Sequence, residues 1–248
     1  MFGLVKLLIL FGDVATKAKD TNAAIDFYSR AVKFGTRLLD ISPNDIILLA
    51  SLAHPLNKAG LSALSNGDWV TAEKYLSEAV TIIHRMADVN WMFKREYAFT
   101  LTKLGTAKEQ MEKLDEALQC YTMAMQITKE LLAASPDDGK LKYNMSVSYE
   151  QIGHIAELKH NYREAELLYR QSLEICRTNV KLGTRSFNED DLAIALYRLG
   201  ALPLQRKATD EQKEYLKEAM SIWKDLYDAT GDNLYKKRYD FAKKALRR

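Results

Sequence analysis

The chain is poor in residues that break helices or staple small folds. Only four prolines and eleven glycines interrupt 248 residues, and no Pro/Ser-rich or low-complexity tract separates one region from another. Disorder and linker-separated domains are therefore not expected. Two cysteines, Cys120 and Cys176, stand far apart without Cys-x-x-Cys spacing, which speaks against a disulfide framework or a zinc knuckle and fits reduced thiols inside a cell. No apolar run reaches the ~18 residues of a membrane span. The longest, MFGLVKLLILFG at the start, is short and contains Lys6. A secretory leader would place positive charge before the apolar run and a small-residue cleavage site after it, and neither is clear here. Charge of one sign is scarce as well: 36 Lys and Arg face 33 Asp and Glu, a net +3, far from the basic surplus of a dedicated nucleic-acid binder.

What the chain does have is helical periodicity. Apolar residues recur every three or four positions through most windows, and 47% apolar content is enough to bury a large core. The expected fold class is all-α. Within that pattern a register repeats five times. Gly12, Gly60, Gly105, Gly153 and Gly200 close the steps LFG, KAG, KLG, QIG and RLG, spaced 48, 45, 48 and 47 apart. Four residues before each stands Leu8, Leu56, Leu101, Tyr149 or Leu196. Twelve after come Ala24, Ala72, Ala117, Ala165 and Gln212; sixteen after, Tyr28, Leu76, Tyr121, Tyr169 and Leu216; nineteen after, Ala31, Ala79, Ala124, Ser172 and Ala219.

Physically this is a helix pair repeated five times, with small residues where helices cross and large apolar ones beside the crossing. A glycine inside a helix costs roughly 0.5–1 kcal/mol against alanine, and a closely approaching neighbour would offset it. Turn signals fall inside the pairs at SNGD (65–68), KHN (159–161) and ATDEQ (208–212), and between pairs at SPND (42–45) and SPDD (135–138). Ser135 with Pro136 and two aspartates reads as a helix start, and Thr209 with Gln212 has capping-box spacing.

The order of large apolar residue, Leu-Gly, alanine and then an aromatic residue resembles the tetratricopeptide repeat (TPR) family over nearly the whole chain. The usual first-helix tyrosine is replaced by Ala15, Ala63, Lys108, Ala156 and Pro203, and the usual closing proline occurs only as Pro43 and Pro136, displaced outward. REYAFTLTKLG and KYNMSVSYEQIG look like the long-helix tandem repeats of bacterial signalling and defence proteins, here with a period near 47. The resemblance implies an α-α superhelix, a right-handed solenoid forming one domain over 1–248. Its repeats would span about 1–42, 43–88, 89–134, 135–182 and 183–229. A capping helix at 231–248 would present Tyr235, Tyr239, Ala242 and Leu246 on one face.

No phosphate loop, dinucleotide fingerprint, nucleophile elbow or HExxH occurs, so no enzyme activity and no cofactor is expected. Glu150, His154 and Glu157 share a helix face and form the nearest thing to a metal set, but no second helix offers a matching Glu-x-x-His. By the resemblance, first helices line the concave face and bind a peptide segment or helix of a partner protein. The residues so implied are His54, Asn57 and Lys58; Phe99, Thr102, Lys103 and Thr106; Glu150, His154 and Glu157; Tyr197 and Arg198. Lys6, Ile9, Asp13, Leu61 and Ala201 occupy the same register. The lysine–asparagine clamp that grips chaperone tails is absent, since Ile9/Asp13, Asn57/Leu61, Thr102/Thr106 and Glu150/His154 fill its places. The implied role is an adaptor in the cytoplasm, possessing no membrane segment and regulating an effector. A nucleic-acid-associated role would rest on Lys236, Lys237, Arg238, Lys243, Lys244, Arg247 and Arg248, which read first as a solvated cap face. Leu7 to Phe11 is apolar all round, more than one packed face needs, and points to a homodimer or a docked partner.

Overall fold

The computed structural model describes residues 2–39, 42, 45–183, 188–203 and 208–247, with the side chain of Phe2 outside the description. Pro43 and Asn44 of the SPND turn lie outside the described residues. Among those described, the chain is helical throughout, without strands. The elements are α1 (Phe2–Lys17), α2 (Thr21–Leu39), α3 (Ile46–Ser65), α4 (Trp69–Val89), α5 (Lys94–Gln110), α6 (Leu114–Ala134), α7 (Gly139–Leu158), α8 (Tyr162–Lys181), α9 (Glu189–Ala201), α10 (Asp210–Thr230) and α11 (Asn233–Leu246). A single 3-10 turn, Trp91–Phe93, precedes α5. Two compact units result, Met1–Ile127 and Thr128–Arg248.

The recurring glycines fall on α1, α3, α5, α7 and α9, and each meets one large side chain of the helix that follows. A methyl group built on Gly12 would stand 2.4 Å from the Tyr28 ring, on Gly105 2.6 Å from Tyr121, and on Gly153 2.8 Å from Tyr169. On Gly60 and Gly200 it would stand 2.6 Å from Cγ of Leu76 and of Leu216. The glycine thus opens a socket for a buried ring or isobutyl group sixteen residues later. That packing offsets its weak helix propensity.

The hairpin turns within the first four pairs use the same backbone device. Lys19, Gly67, Glu112 and His160, seven residues after their glycines, adopt the left-handed conformation with φ of 60, 74, 60 and 61°. The next amide then donates back across the turn: Asp20 to Ala15, Asp68 to Ala63, Lys113 to Lys108 and Asn161 to Ala156. These bonds satisfy carbonyls that the helix end would otherwise leave open.

In the first unit, α1 lays Val5, Leu8 and Ala15 on α2, while α3, α4 and α5 share a core of Leu49, Leu52, Leu56, Ile83, Met86, Tyr97 and Leu101. In the second unit, α7 to α11 enclose Tyr169, Leu173, Cys176, Leu196, Leu199, Leu216 and Trp223. Ala242 is buried in that core, and Tyr235, Tyr239 and Leu246 pack on it from the same face of α11, as the spacing predicts. Capping boxes open α9 (Asn188 with Asp191) and α10 (Thr209 with Gln212).

One predicted start is displaced. The Ser135 amide still donates to Leu131 at the end of α6, so Ser135 closes that helix instead of opening the next. The cap of α7 is Asp138, whose carboxylate accepts from the amides of Lys140 and Leu141 at 2.9 and 3.0 Å, and Pro136 sits in the turn before it.

Candidate functional site

The sequence places its candidate residues on the first helices of the pairs, and the structure shows what holds each. On α1 and α3, Asp13 accepts the Tyr28 hydroxyl at 2.7 Å and pairs with Lys58 at 3.1 Å. Burial works to raise the Asp13 carboxyl, but the Tyr28 and Lys58 donors outweigh it and hold it below the ordinary carboxylate value, with His54 near enough to add to the effect. Burial, with the Asp13 contact adding to it, pushes the Tyr28 phenol up to about 12. His54 is exposed and Lys58 half-buried.

Asn57 has turned inward. It is 7% exposed, donates to Glu96 at 3.2 Å and accepts from Thr100 at 3.0 Å, so it ties α3 to α5. On α5, Phe99 is 44% exposed, with the Lys103 ammonium 5.4 Å from the ring centroid. That geometry is a surface cation–π pair, an aromatic ring presented to solvent beside a positive charge. Thr102 and Thr106 are half-buried and spend their hydroxyls on the carbonyls of Ala98 and Thr102.

In the second unit, Glu150 is engaged by the Ser172 hydroxyl at 2.9 Å in a largely enclosed position. Burial lifts its carboxyl to about 7, although Ser172 and the Arg198 charge pull the other way. Glu157 accepts the Tyr169 hydroxyl at 2.7 Å, and Arg198 lies 3.9 Å from Glu157 with its guanidinium 6.0 Å from the Tyr169 ring centroid. Burial raises the Tyr169 phenol further, opposed by Arg198. His154 is half-buried on the same face. Tyr197 packs against Trp223 with centroids 5.8 Å apart. Thus Glu150 and Glu157 serve as hydrogen-bond acceptors for α8, and among the described residues no three His, Cys, Asp or Glu side chains gather as a metal-holding group. Both thiols are free and buried, and burial pushes Cys176 up to about 12, which keeps it an inert thiol.

The functional reading of the sequence missed how the tyrosine sockets are wired. Tyr28, Tyr121 and Tyr169 each donate to a carboxylate at 2.7 Å: Asp13, Glu109 and Glu157. The acid stands one or four residues after the glycine of its own pair. Where the socket holds leucine, as at Leu76, those two positions carry Leu61 and Leu64, and so the signal was present in the sequence as a coupled choice.

Helical hairpins built on one glycine-socket register define the class of protein: a repeat scaffold whose first helices present a mixed aromatic and polar face. The sequence matches no protein-family model and no curated relative. Solved structures do resemble it. The apo form of RapI superimposes with a TM-score of 0.66 at 12% identity, covering 99% of this chain and 64% of that one. TPR-like repeats of a Podosopora anserina kinesin light chain give 0.64 at 13% identity, covering 94% and 99%. The Rap conjugation gene regulator of plasmid pLS20, solved in complex with a Phr peptide, gives 0.58 at 16% identity, covering 95% of this chain and 56% of that one. The chain therefore spans less than two thirds of either Rap protein. The fold is of the tetratricopeptide-repeat type, an α-α superhelix by class, and no described helix is long and apolar enough to cross a membrane.

Proposed function

We propose that this chain is a non-enzymatic interaction module that holds a peptide segment or helix of another protein on the faces of its first helices. The observation that carries the reading is Phe99 standing open on α5 with Lys103 against it, while the first helices α1 and α3 carry the Asp13–Lys58 pair and exposed His54. An exposed ring bordered by charged and polar groups is the composition of a protein-binding hot spot. The likeness to a regulator solved with a bound peptide supports the same reading. A cytoplasmic setting fits the two free, buried thiols, and the role is regulation or recruitment of an effector in bacterial signalling or defence.

Selection of random displayed peptides on the immobilised chain tests this. The expected result is an enriched consensus whose binding drops by about tenfold or more in Phe99→Ala or Lys103→Glu. Enriched peptides that bind both variants undiminished would contradict it.

A second partner is carried by a separate observation. α1 buries Val5 and Leu8 but leaves Leu4, Leu7, Leu10, Phe11 and Val14 open, with Leu10 60% exposed. Leu4, Leu7, Phe11 and Val14 are spaced three, four and three apart, the seam by which one helix pairs with a copy of itself. The proposed occupant is a second copy of this chain. Light scattering should give twice the chain mass for the native protein and a single mass for Leu7→Glu; a single mass for both would overturn it.

A further inference from the structure

Between α9, α10 and α11 lies an open pocket of about 350 Å3 lined by Ile194, Tyr197, Arg198, Trp223, Arg238 and Phe241. Its floor is rigid. Trp223 is 2% exposed, donates its indole N–H to Asp190 at 2.8 Å, and has the Tyr197 ring tilted against it. Arg238 is bonded to both oxygens of Asp190, so one carboxylate fixes both the indole and that guanidinium. The rim is different. Phe241 is 63% exposed, and Arg198 stands 3.9 Å from Glu157, beyond hydrogen-bond reach, with its guanidinium over the Tyr169 ring. Three aromatic rings, one aliphatic side chain and a guanidinium whose nearest carboxylate is not hydrogen-bonded to it make a slot for a ring with an acid beside it.

The helix that carries Arg238 and Phe241 is itself basic. From Asp232 to Arg247, Lys236, Lys237, Arg238, Lys243, Lys244 and Arg247 outnumber Asp232 and Asp240. A partner strand rich in side-chain carboxylates would be drawn to this end, and Arg198 would take one of them through two N–H donors.

We infer that this pocket is the anchor for an acidic partner segment, one aromatic side chain entering between Tyr197, Trp223 and Phe241 while a flanking Asp or Glu carboxylate pairs with Arg198. The inference rests on the peptide-binding reading above and names the chemistry of the peptide at this end of the chain. Ring-on-ring contact supplies the buried area, and the guanidinium supplies the selection for acid over base.

The probes are fluorescein-labelled peptides Glu-Glu-Phe-Glu-Glu, Lys-Lys-Phe-Lys-Lys and Glu-Glu-Ala-Glu-Glu, with a single-stranded DNA oligonucleotide beside them, all read by fluorescence anisotropy. The first peptide should bind about tenfold or more tighter than the second and third, and Arg198→Gln and Phe241→Ala should each weaken it by a similar factor. Both substituted side chains reach solvent, so thermal midpoints near the native value verify that the variants are folded. Equal binding of the three peptides, or undiminished binding by Arg198→Gln, would overturn the assignment. An oligonucleotide that binds more tightly than the acidic peptide and displaces it would also overturn it, giving α11 to nucleic acid. If displayed peptides still depend on Phe99 while none of the probes depends on Arg198, the pocket assignment falls and the peptide-binding reading stands. If neither dependence appears, both fall.

Discussion

At the scale of single residues, the socket glycines decide the packing. Gly105→Ala would improve helix propensity by about 1 kcal/mol. The new methyl would meet Cε1 of Tyr121 at 2.6 Å, though, and the ring cannot swing away cheaply because its hydroxyl is held by Glu109 at 2.7 Å. A net loss of about 1–3 kcal/mol is expected in chemical denaturation, the ordinary cost of overfilling a packed site; a gain in stability would mean the socket is loose. Glu150 makes the second residue-scale prediction. Its carboxyl titrates near 4.5 in the unfolded chain and at about 7 in the folded one. Below pH 4.5 it is protonated in both states and costs nothing. As pH rises to 7 the unfolded state ionises first, so stability declines, by about 3 kcal/mol in all. Glu150→Gln, which keeps a partner for Ser172, should flatten this decline and raise the unfolding free energy above pH 7. An unchanged slope in urea titrations between pH 4.5 and 7 would place the carboxyl in solvent.

At the scale of elements, the sequence shows most of what the structure shows, and the exceptions have local causes. Four of the five positions twelve residues after the glycines are alanine, and Gln212 breaks the register. The structure gives the reason. α9 stops at Ala201 ahead of Pro203, and the Gln212 amide donates to the carbonyls of Leu199 and Leu202, at 3.3 and 2.6 Å, while its oxygen accepts from the Thr209 amide at 3.1 Å. One side chain therefore caps the end of one helix and the start of the next. Gln212→Ala matches the other four copies and should still destabilise by about 1–3 kcal/mol, because it strands buried carbonyls. Differential scanning calorimetry reads this directly, and a midpoint at or above that of the native chain would sink the capping account. The misplaced start of α7 has a similar origin: Ser-Pro-Asp-Asp offers two cap candidates, and the choice depends on Ser135 being claimed by the ladder of α6, which a local motif does not encode.

At the scale of the whole molecule, the fold class was legible because the register repeats five times and each copy reinforces the others. The candidate face was only partly legible. Helical spacing puts Asn57, Phe99 and Glu157 on first helices, but whether a side chain faces solvent or braces its neighbour depends on partners distant in sequence. Asn57 depends on Glu96 and Thr100, and Glu157 on Tyr169. Phe99 stays open, 44% exposed, with Lys103 of its own helix against the ring. Amide hydrogen exchange of the chain, with and without a peptide enriched by display, tests the central claim most directly. The account predicts slowed exchange in first helices, at 54–61 and 99–106 or at 150–157 and 194–201, with α4 and α8 unchanged. Protection confined to the second helices, or none at saturating peptide, would contradict it.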